Sequence, residues 1–305
     1  MLRRILARLL TSLAVMLLAV SAAFLALHAL PGQIEDVLAG DLNYPGLHEA
    51  IAQEWGLDRS IGVQYVDFIS KIAVGDFGTS YVLREKVADI VAWQILPTAE
   101  LAVAAGVIAA LLATAIAVAT SGRGAAARAT ASGLEMMLTS APVFWIGFLL
   151  LMLFSFRLRL FPVSGADGWR ALVLPAITLA LPTAGLLAQV LREAIEKALL
   201  QPFAVTIRSR GVGETAIRLR HMLRHALLPA MTLGGWLVGG LLGGAVITEK
   251  VFGRPGLGSL TLSAVTTQDV PVVLAVVLLA AFVHVVISTL LDIAYIAVDP
   301  RLRAR

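Results

Sequence analysis

Residues 98–120 read TAELAVAAGVIAALLATAIAVAT, and Glu100 is the single charged residue in this run. An α-helix of about 20 mainly apolar residues is long enough to cross the roughly 30 Å of hydrocarbon in a bilayer. In such a helix every backbone N–H and C=O is satisfied within the segment, so no polar backbone group faces lipid. The stretch therefore predicts a membrane-spanning helix.

The composition of the whole chain is that of a membrane protein. Of 305 residues, 59% are hydrophobic and 14% are charged, and the mean hydropathy is +0.88, whereas soluble domains average about 45–50% apolar and about 25% charged. So much apolar surface could not be hidden inside one water-facing globule. The chain has no cysteine, which excludes disulfides and cysteine nucleophiles. Its formal net charge of +4 is too small to indicate a nucleic-acid partner.

Five further apolar stretches meet the same length requirement, so the sequence predicts an all-α polytopic membrane protein with six transmembrane helices. The first stretch follows the basic pair Arg3-Arg4. Its roughly 25 apolar residues exceed the 7–15 of a signal peptide's central region, so we expect it to be retained as an anchor. The predicted spans cover approximately residues 5–30, 98–120, 133–156, 172–191, 230–248 and 272–298.

The distribution of basic residues predicts the orientation of the chain. If both termini are cytoplasmic, the cytoplasmic pieces hold fifteen Lys and Arg against four acids, and the outer pieces hold nine against thirteen. Cytoplasmic loops carry an excess of Lys and Arg. We therefore expect residues 31–97, named the acidic segment, to lie outside. Apolar spacing within it predicts short amphipathic helices around His48–Trp55 and Val63–Ile72.

Residues 192–229, named the basic segment, read REAIEKALLQPFAVTIRSRGVGETAIRLRHMLRHALLP. Helical spacing of apolar residues runs up to Ile207, is broken at Gly211 and Gly213, and resumes from Ile217. The pattern predicts two amphipathic helices joined by a glycine turn. One interpretation is a positively charged loop lying on anionic headgroups. The other is a docking element for a soluble partner, since the loop is longer than orientation requires.

No enzymatic constellation is visible in the sequence. GxxxxGK[ST], HExxH and GxSxG are all absent. Among the polar residues in or beside the spans are Glu100, Glu135, His284 and Asp292. Intramembrane acids are candidate ion ligands or proton relays, but these acids are not spaced to build one cation site. A structural role is the interpretation we favour for them.

The fifth predicted span is rich in glycine, which lets another helix approach closely. The neighbouring helix could belong to this chain or to a partner subunit. Alternatively, the glycine-rich face could line a translocation path. The candidates for close packing or the path are Gly235, Gly239, Gly240, Gly243, Gly244 and Glu249.

Residues 203–229 resemble the cytoplasmic "EAA" loop of ATP-binding-cassette (ABC) importer permeases, centred on Gly211. The chain as a whole resembles the first permease subunit of the dipeptide, oligopeptide and nickel uptake systems. Four further stretches carry this resemblance: GLDRSIGVQYVDFISKIAVGDFGTSY at 56–81, GGLLGGAVITEKVFGRPGLGSL at 239–260, QDVP at 268–271, and LLDIAYIAVDPRLR at 290–303.

The resemblance implies a type I ABC importer permease fold in a bacterial cytoplasmic membrane, with no enzymatic activity in this chain. Residues 1–93 would hold the first span and the outer segment, residues 94–298 a five-helix permease core, and residues 299–305 a cytoplasmic tail. The basic segment would be the coupling loop. Its implied contact residues are Phe203, Thr206, Arg208, Arg210, Gly211, Val212, Gly213 and Glu214.

The resemblance also implies the partners: a homologous second permease, two cytoplasmic ATP-binding subunits and an extracytoplasmic solute-binding protein. No cofactor or metal would be bound by this chain, because ATP and magnesium would belong to the ATP-binding subunits. The expected substrates are short peptides, with nickel or a metal chelate as the alternative. An ion-coupled secondary transporter is the alternative from another class, although such proteins often show internal repeats and none is found here.

Overall fold

The computed structural model describes residues 2–29, 34–39 and 46–298, which fold predominantly into helices. The predicted tail, residues 299–305, lies outside the described residues, as do residues 30–33 and 40–45. The α-helices are α1 Leu2–His28, α2 Ile34–Ala39, α3 Leu47–Trp55, α4 Ile61–Ala73, α5 Val87–Thr120, α6 Ala125–Ser140, α7 Val143–Leu150, α8 Gly168–Leu199, α9 Pro202–Ser209, α10 Glu214–Ala216, α11 Leu223–Val251, α12 Leu257–Thr266 and α13 Val270–Val298. Helix α7 continues as π-helix over Leu151–Arg157, and Ile217–Met222 is a second π-helix before α11.

Four helical stretches are long and apolar enough to cross a membrane unaided: Leu10–His28, Val87–Thr120, Gly168–Leu199 and Val270–Ala294. Two further spans are reached only by counting a bent pair of helices as one span. The prediction of an all-α membrane protein is confirmed, and six spans result when both bent pairs are included.

The third predicted span, residues 133–156, is not one straight helix. Helix α6 and the stretch Val143–Arg157 meet at an angle of 96°. Between them, Ala141 and Pro142 are extended, with ψ of 128° and 133°. Proline disfavours the helical conformation of the residue before it, so Pro142 ends α6 at Ser140.

The fifth predicted span, residues 230–248, is also bent. The helical stretches Glu214–Leu233 and Leu237–Val251 differ in direction by 60°. The adjacent glycines Gly234 and Gly235 lie at the bend, and sharp helix kinks are common at such pairs.

The chain divides into two compact units, and the first holds residues 1–96 and 259–285. Its core combines Val20 and Phe24 of α1 with Val270 and Leu274 of α13. The helices predicted in the acidic segment are present as α3 and α4. Gly56 ends α3 with a φ of +69°, a left-handed conformation that glycine adopts without steric cost.

A buried carboxylate fastens the loop after α4 in this unit. Asp269 accepts hydrogen bonds from the Ser80 hydroxyl at 2.5 Å and from the Tyr81 backbone N–H at 3.2 Å. Burial, and then the charge of Asp269, raise the pKa of Tyr81 to about 12. The loop therefore has a fixed conformation rather than a solvated one.

The described residues of the second unit are 97–258 and 286–298. Small side chains allow its helices to approach closely, as is usual where membrane helices pack without a hydrophobic driving force between them. The core where α5, α8 and α11 meet includes six buried alanines: Ala105, Ala109, Ala176, Ala180, Ala184 and Ala245.

Candidate functional site

The basic segment forms the predicted pair of helical arms around a glycine turn. Gly211 has a φ of +77°, and a Cβ atom added there would meet nothing within 4 Å. Glycine is required at this position by backbone conformation and not by crowding. Gly213 has an ordinary φ of −65° and precedes the next helical turn at Glu214.

An ion pair closes this turn. The Arg208 guanidinium donates to Glu214 at 2.8 Å, and Arg218 lies 3.7 Å from the other oxygen of the same carboxylate. The hydrogen bond from Arg208 lowers the pKa of Glu214 below its ordinary value and raises that of Arg208. Both partners remain charged over the physiological pH range.

One side of the basic segment is anchored in the core of the second unit. Ala204, Ile217 and Met222 are buried, and they belong to the same cluster as Leu191 and Ile195 of α8. These buried residues therefore connect the glycine turn to the C-terminal part of α8.

The other side of the basic segment is exposed. Seven of the eight residues implied as coupling contacts are exposed, and Val212 is partly buried. Neighbouring apolar side chains are exposed as well, with 64% of Val205 and 85% of Leu200 accessible. An anchored loop with exposed apolar and basic groups can transmit a force applied by a soluble partner to the helices beneath it.

Sequence reasoning missed the principal interaction of Arg192, the first residue of the basic segment. Arg192 is buried and donates to the two oxygens of buried Glu135 at 2.8 and 2.7 Å, and to Ser132 at 3.1 Å. Such two-point Arg–carboxylate contacts are the stronger class of hydrogen bond. The pair ties α6 to α8. The sequence does show a charged residue on each helix, Glu135 on α6 and Arg192 on α8. It does not show that the two residues lie next to each other.

Close backbone approach accompanies this ion pair. A Cβ atom on Gly185 of α8 would lie 2.8 Å from the backbone oxygen of Glu135 and 2.7 Å from the hydroxyl of Thr139. Only glycine leaves room for α6 to approach so closely here.

The glycine-rich face of α11 divides into two parts. Added Cβ atoms at Gly239, Gly240 and Gly243 would meet no other described element within 4 Å, and all three residues are exposed. At Gly244 an added Cβ would lie 2.5 Å from Leu179 of α8. Gly244 therefore serves packing within the chain, while the other three present an open face. The surroundings of Gly235 lie outside the described residues.

Glu249 is buried at the end of α11 and accepts a hydrogen bond from the Thr98 hydroxyl at 2.6 Å. A Cβ on Gly256 would overlap the Glu249 carboxylate. Glu249 is thus a packed internal acceptor, which suits close packing better than an open path.

Arg254 is a second residue that sequence reasoning missed. Its buried guanidinium donates to Glu100 at 3.1 Å and to the backbone oxygen of Pro97 at 3.3 Å. Glu100 and Glu135, two of the acids noted in the spans, are therefore each paired with an arginine. These ion pairs support the structural interpretation of the two acids, which stays a prediction. Within residues 2–29, 34–39 and 46–298, no group of three or more His, Cys, Asp or Glu residues could hold a metal ion.

Two family models match the chain, and together they cover almost all of it. Residues 102–304 match the model described as "Binding-protein-dependent transport system inner membrane component". Residues 1–102 match the corresponding N-terminal model, "Binding-prot-dependent transport system membrane comp, N-term".

Curated relatives agree with these matches. The chain is 35% identical over 304 residues to the glutathione transport system permease protein GsiC of Salmonella choleraesuis strain SC-B67, covering 99% of both chains. It is also 35% identical over 299 residues to GsiC of Escherichia coli strain K12, covering 92% of each. The chain therefore belongs to the binding-protein-dependent inner membrane components, the permeases of ABC importers, within the peptide and nickel family.

Proposed function

We propose that this chain is the first permease subunit of an ABC importer that carries short peptides, with glutathione-like peptides included, into the cytoplasm. The observation that carries the proposal is the anchored loop with its exposed glycine turn, in a chain similar throughout its length to glutathione permeases. Glutathione is a tripeptide, so the names of these relatives favour peptides over nickel or a metal chelate.

Two cytoplasmic ATP-binding subunits drive the cycle, one of them docked on the exposed side of the basic segment. Apolar contacts at Phe203 and Val205 supply burial, and Arg208 and Arg210 supply charge complementarity. When the ATP-binding subunit moves, the buried residues Ile217 and Met222 transmit the motion to α8. Hydrolysis of ATP stays on the partner, because this chain has no phosphate-binding loop of the GxxxxGK[ST] kind.

A homologous second permease completes the pathway along the open face of α11. Gly239, Gly240 and Gly243 leave room for a partner helix or a passing substrate, because no side chain of another described element lies within 4 Å of their potential Cβ positions. A binding protein delivers the substrate from outside, and both termini lie in the cytoplasm. The bias of Lys and Arg supports this orientation.

An ion-coupled secondary transporter is disfavoured by the same geometry. Glu100 and Glu135 are held by Arg254 and Arg192. Both carboxylates therefore have an arginine as partner in the structure, which favours a structural role for them.

The test is ATP-driven uptake by a reconstituted complex. The tagged chain is purified with its associated subunits, placed in liposomes containing ATP, and supplied with its binding protein and labelled glutathione or alanyl-phenylalanine. We expect an ATP-binding protein and a second permease to co-purify, and uptake to require ATP. Uptake driven by an ion gradient without ATP would refute the importer assignment, and uptake of nickel but of neither peptide would refute the substrate.

A further inference from the structure

The first unit contains a cavity of about 440 Å³, which none of the features described so far occupies. Its walls come from α1, the end of α3, α4, the loop at residues 76–81 and the beginning of α13. Small-molecule sites in proteins commonly measure about 300–1,000 Å³ and combine apolar walls with a few placed polar groups. The size of this cavity therefore fits an amino acid derivative or a short peptide.

Aromatic rings form the apolar part of the wall. The rings of Trp55 and Tyr81 meet edge to face at 4.9 Å, and those of Phe24 and Phe68 lie 6.2 Å apart. Aromatic faces bind both apolar side chains and ammonium groups. This part of the wall suits a ligand that carries either group.

A hydrogen-bonded network holds the polar part of the wall. Gln64 donates to the backbone oxygens of Leu57 and Arg59 at 3.2 and 2.9 Å, and its own oxygen lies 3.3 Å from His28. The segment that carries Arg59 is therefore fixed to α4 and α1. The Arg59 side chain folds back over Gly56. A Cβ atom added to Gly56 would lie 3.7 Å from the Nε atom of Arg59.

Charges of both signs face this cavity. Lys71 and Asp67 are joined to each other at 2.8 Å. Glu54, Asp76 and Arg59 also line the wall, in addition to the Lys71–Asp67 pair. One oxygen of Asp76 accepts a hydrogen bond from the Gly78 backbone N–H at 2.9 Å, which fixes the orientation of this carboxylate. Such a wall can receive a carboxylate and an ammonium group at the same time, whereas a purely anionic or purely cationic ligand would leave one set of charges unmatched.

We propose that this cavity is a binding site for a small zwitterion, namely a short peptide with a free amino and a free carboxyl terminus. Arg59 receives the carboxylate, Glu54 and Asp76 receive the ammonium group, and the rings of Trp55 and Phe68 pack on the peptide's side chains. This inference rests on the proposed function, because it makes the cavity an outer holding site for the imported peptide.

The test is equilibrium binding to the purified complex without its binding protein. Labelled alanyl-phenylalanine is the probe, and N-acetyl-alanyl-phenylalaninamide, which has neither terminal charge, is the reference ligand. We expect the free peptide to bind and the blocked peptide to bind at least about tenfold more weakly, as for the loss of one charge-assisted hydrogen bond. Arg59→Gln and Glu54→Gln should each weaken binding of the free peptide about tenfold.

The matched control is Glu49→Gln, which removes an exposed acid of α3 that does not line the cavity. It should bind the peptide like the unaltered complex. Trp55→Leu gives a second variant, one that keeps all charges and should also weaken binding.

Failure of the site and failure of the proposed function give different results. No binding by the unaltered complex, or equal binding by the Arg59 and Glu54 variants, overturns the site while ATP-driven uptake stands. If these variants instead lose only their attachment to the binding protein, the cavity is a protein-docking surface and the small-molecule site is refuted. Peptide binding at the cavity without any ATP-driven uptake would refute the importer and keep the site.

Discussion

Single residues show how charge is accommodated in the apolar second unit. Arg192 and Glu135 are both buried where they meet, whereas the buried Arg254 pairs with Glu100, whose side chain is half exposed. Removing one partner from a buried ion pair leaves an uncompensated charge and costs about 3–5 kcal/mol, whereas replacing both by apolar groups is often close to neutral. The Glu135–Arg192 pair therefore constrains which substitutions the protein tolerates at these two positions.

The Glu135–Arg192 pair provides the first prediction. Glu135→Leu alone should lower the melting temperature of the purified complex strongly, because Arg192 stays buried without its carboxylate. The double variant Glu135→Leu with Arg192→Met should recover most of the loss. Thermal unfolding followed by tryptophan fluorescence measures both, and a double variant no more stable than Glu135→Leu would contradict the buried-pair explanation.

Gly211 provides the second prediction, and Gly213 is its control. Gly211→Ala forces a side chain into a left-handed conformation at a cost of about 1–2 kcal/mol, which should distort the turn and reduce uptake and substrate-stimulated ATP hydrolysis several-fold. Gly213→Ala should be tolerated, since its φ is −65° and its Cβ would meet no atom within 4 Å. Membrane levels of both variants are measured by immunoblot. Uptake by Gly211→Ala equal to that of the unaltered complex would remove the turn from the coupling mechanism.

The pH dependence of the basic segment provides the third prediction. The folded pKa of Glu214 lies below its ordinary value of 4.5, because Arg208 hydrogen-bonds the charged form. A lowered folded pKa stabilises the turn above pH 4.5, and this stabilisation is lost as the pH falls through the lowered value. Limited proteolysis of the segment should therefore accelerate under strong acidification. In Glu214→Gln this pH dependence should vanish, and an unchanged pH profile in that variant would refute the assignment.

Among the helices, α11 combines two functions on neighbouring turns. Gly244 fits against Leu179 of α8, while Gly240, one turn earlier, faces open space. Spacing of four residues places both glycines near one face of the helix. The face of α11 that carries both glycines therefore packs against α8 at Gly244, and it is open at Gly240.

This division provides the fourth prediction. Gly244→Leu should destabilise the chain and lower its membrane level, because its Cβ alone would lie 2.5 Å from Leu179. Gly240→Leu should be inserted normally and yet transport poorly, since the added side chain occupies the space assigned to the second permease or the substrate. Val15→Phe, an equally bulky change on an exposed residue of α1, is the control. Normal uptake by well-expressed Gly240→Leu would show that this face does not border the route.

For the whole molecule, the distribution of Lys and Arg predicts a topology with the acidic segment outside and the basic segment in the cytoplasm. Because the sequence contains no cysteine, single cysteines report accessibility without background. Ser80 is buried and is a poor probe, so exposed Ser70 on α4 and exposed Ser209 in the basic segment are preferable.

Both positions are used in the fifth prediction. In intact cells Ser70→Cys should react with a membrane-impermeant maleimide, and Ser209→Cys should react only after the membrane is opened. Labelling is measured by the mass shift of the purified chain. The opposite pattern would invert the proposed topology.

The sequence by itself determined the class of the protein, because the relevant signals are local. Apolar length predicts a spanning helix wherever it occurs, so the all-α membrane fold followed from stretches such as 98–120. The helix–glycine–helix pattern around Gly211 is equally local, since φ preference belongs to the residue itself. The short helices α3 and α4 followed from apolar spacing in the same way.

Only the tertiary structure decided which residues meet. Glu135 and Arg192 are 57 positions apart, and Arg254 and Glu100 are 154 apart; no local pattern specifies such pairs. The glycines of α11 look alike in sequence, yet Leu179 fills the space beside Gly244, and none of the residues that the structure describes packs beside Gly240. Packing depends on the side chains that neighbouring helices bring to each position, and those neighbours are set by the fold as a whole.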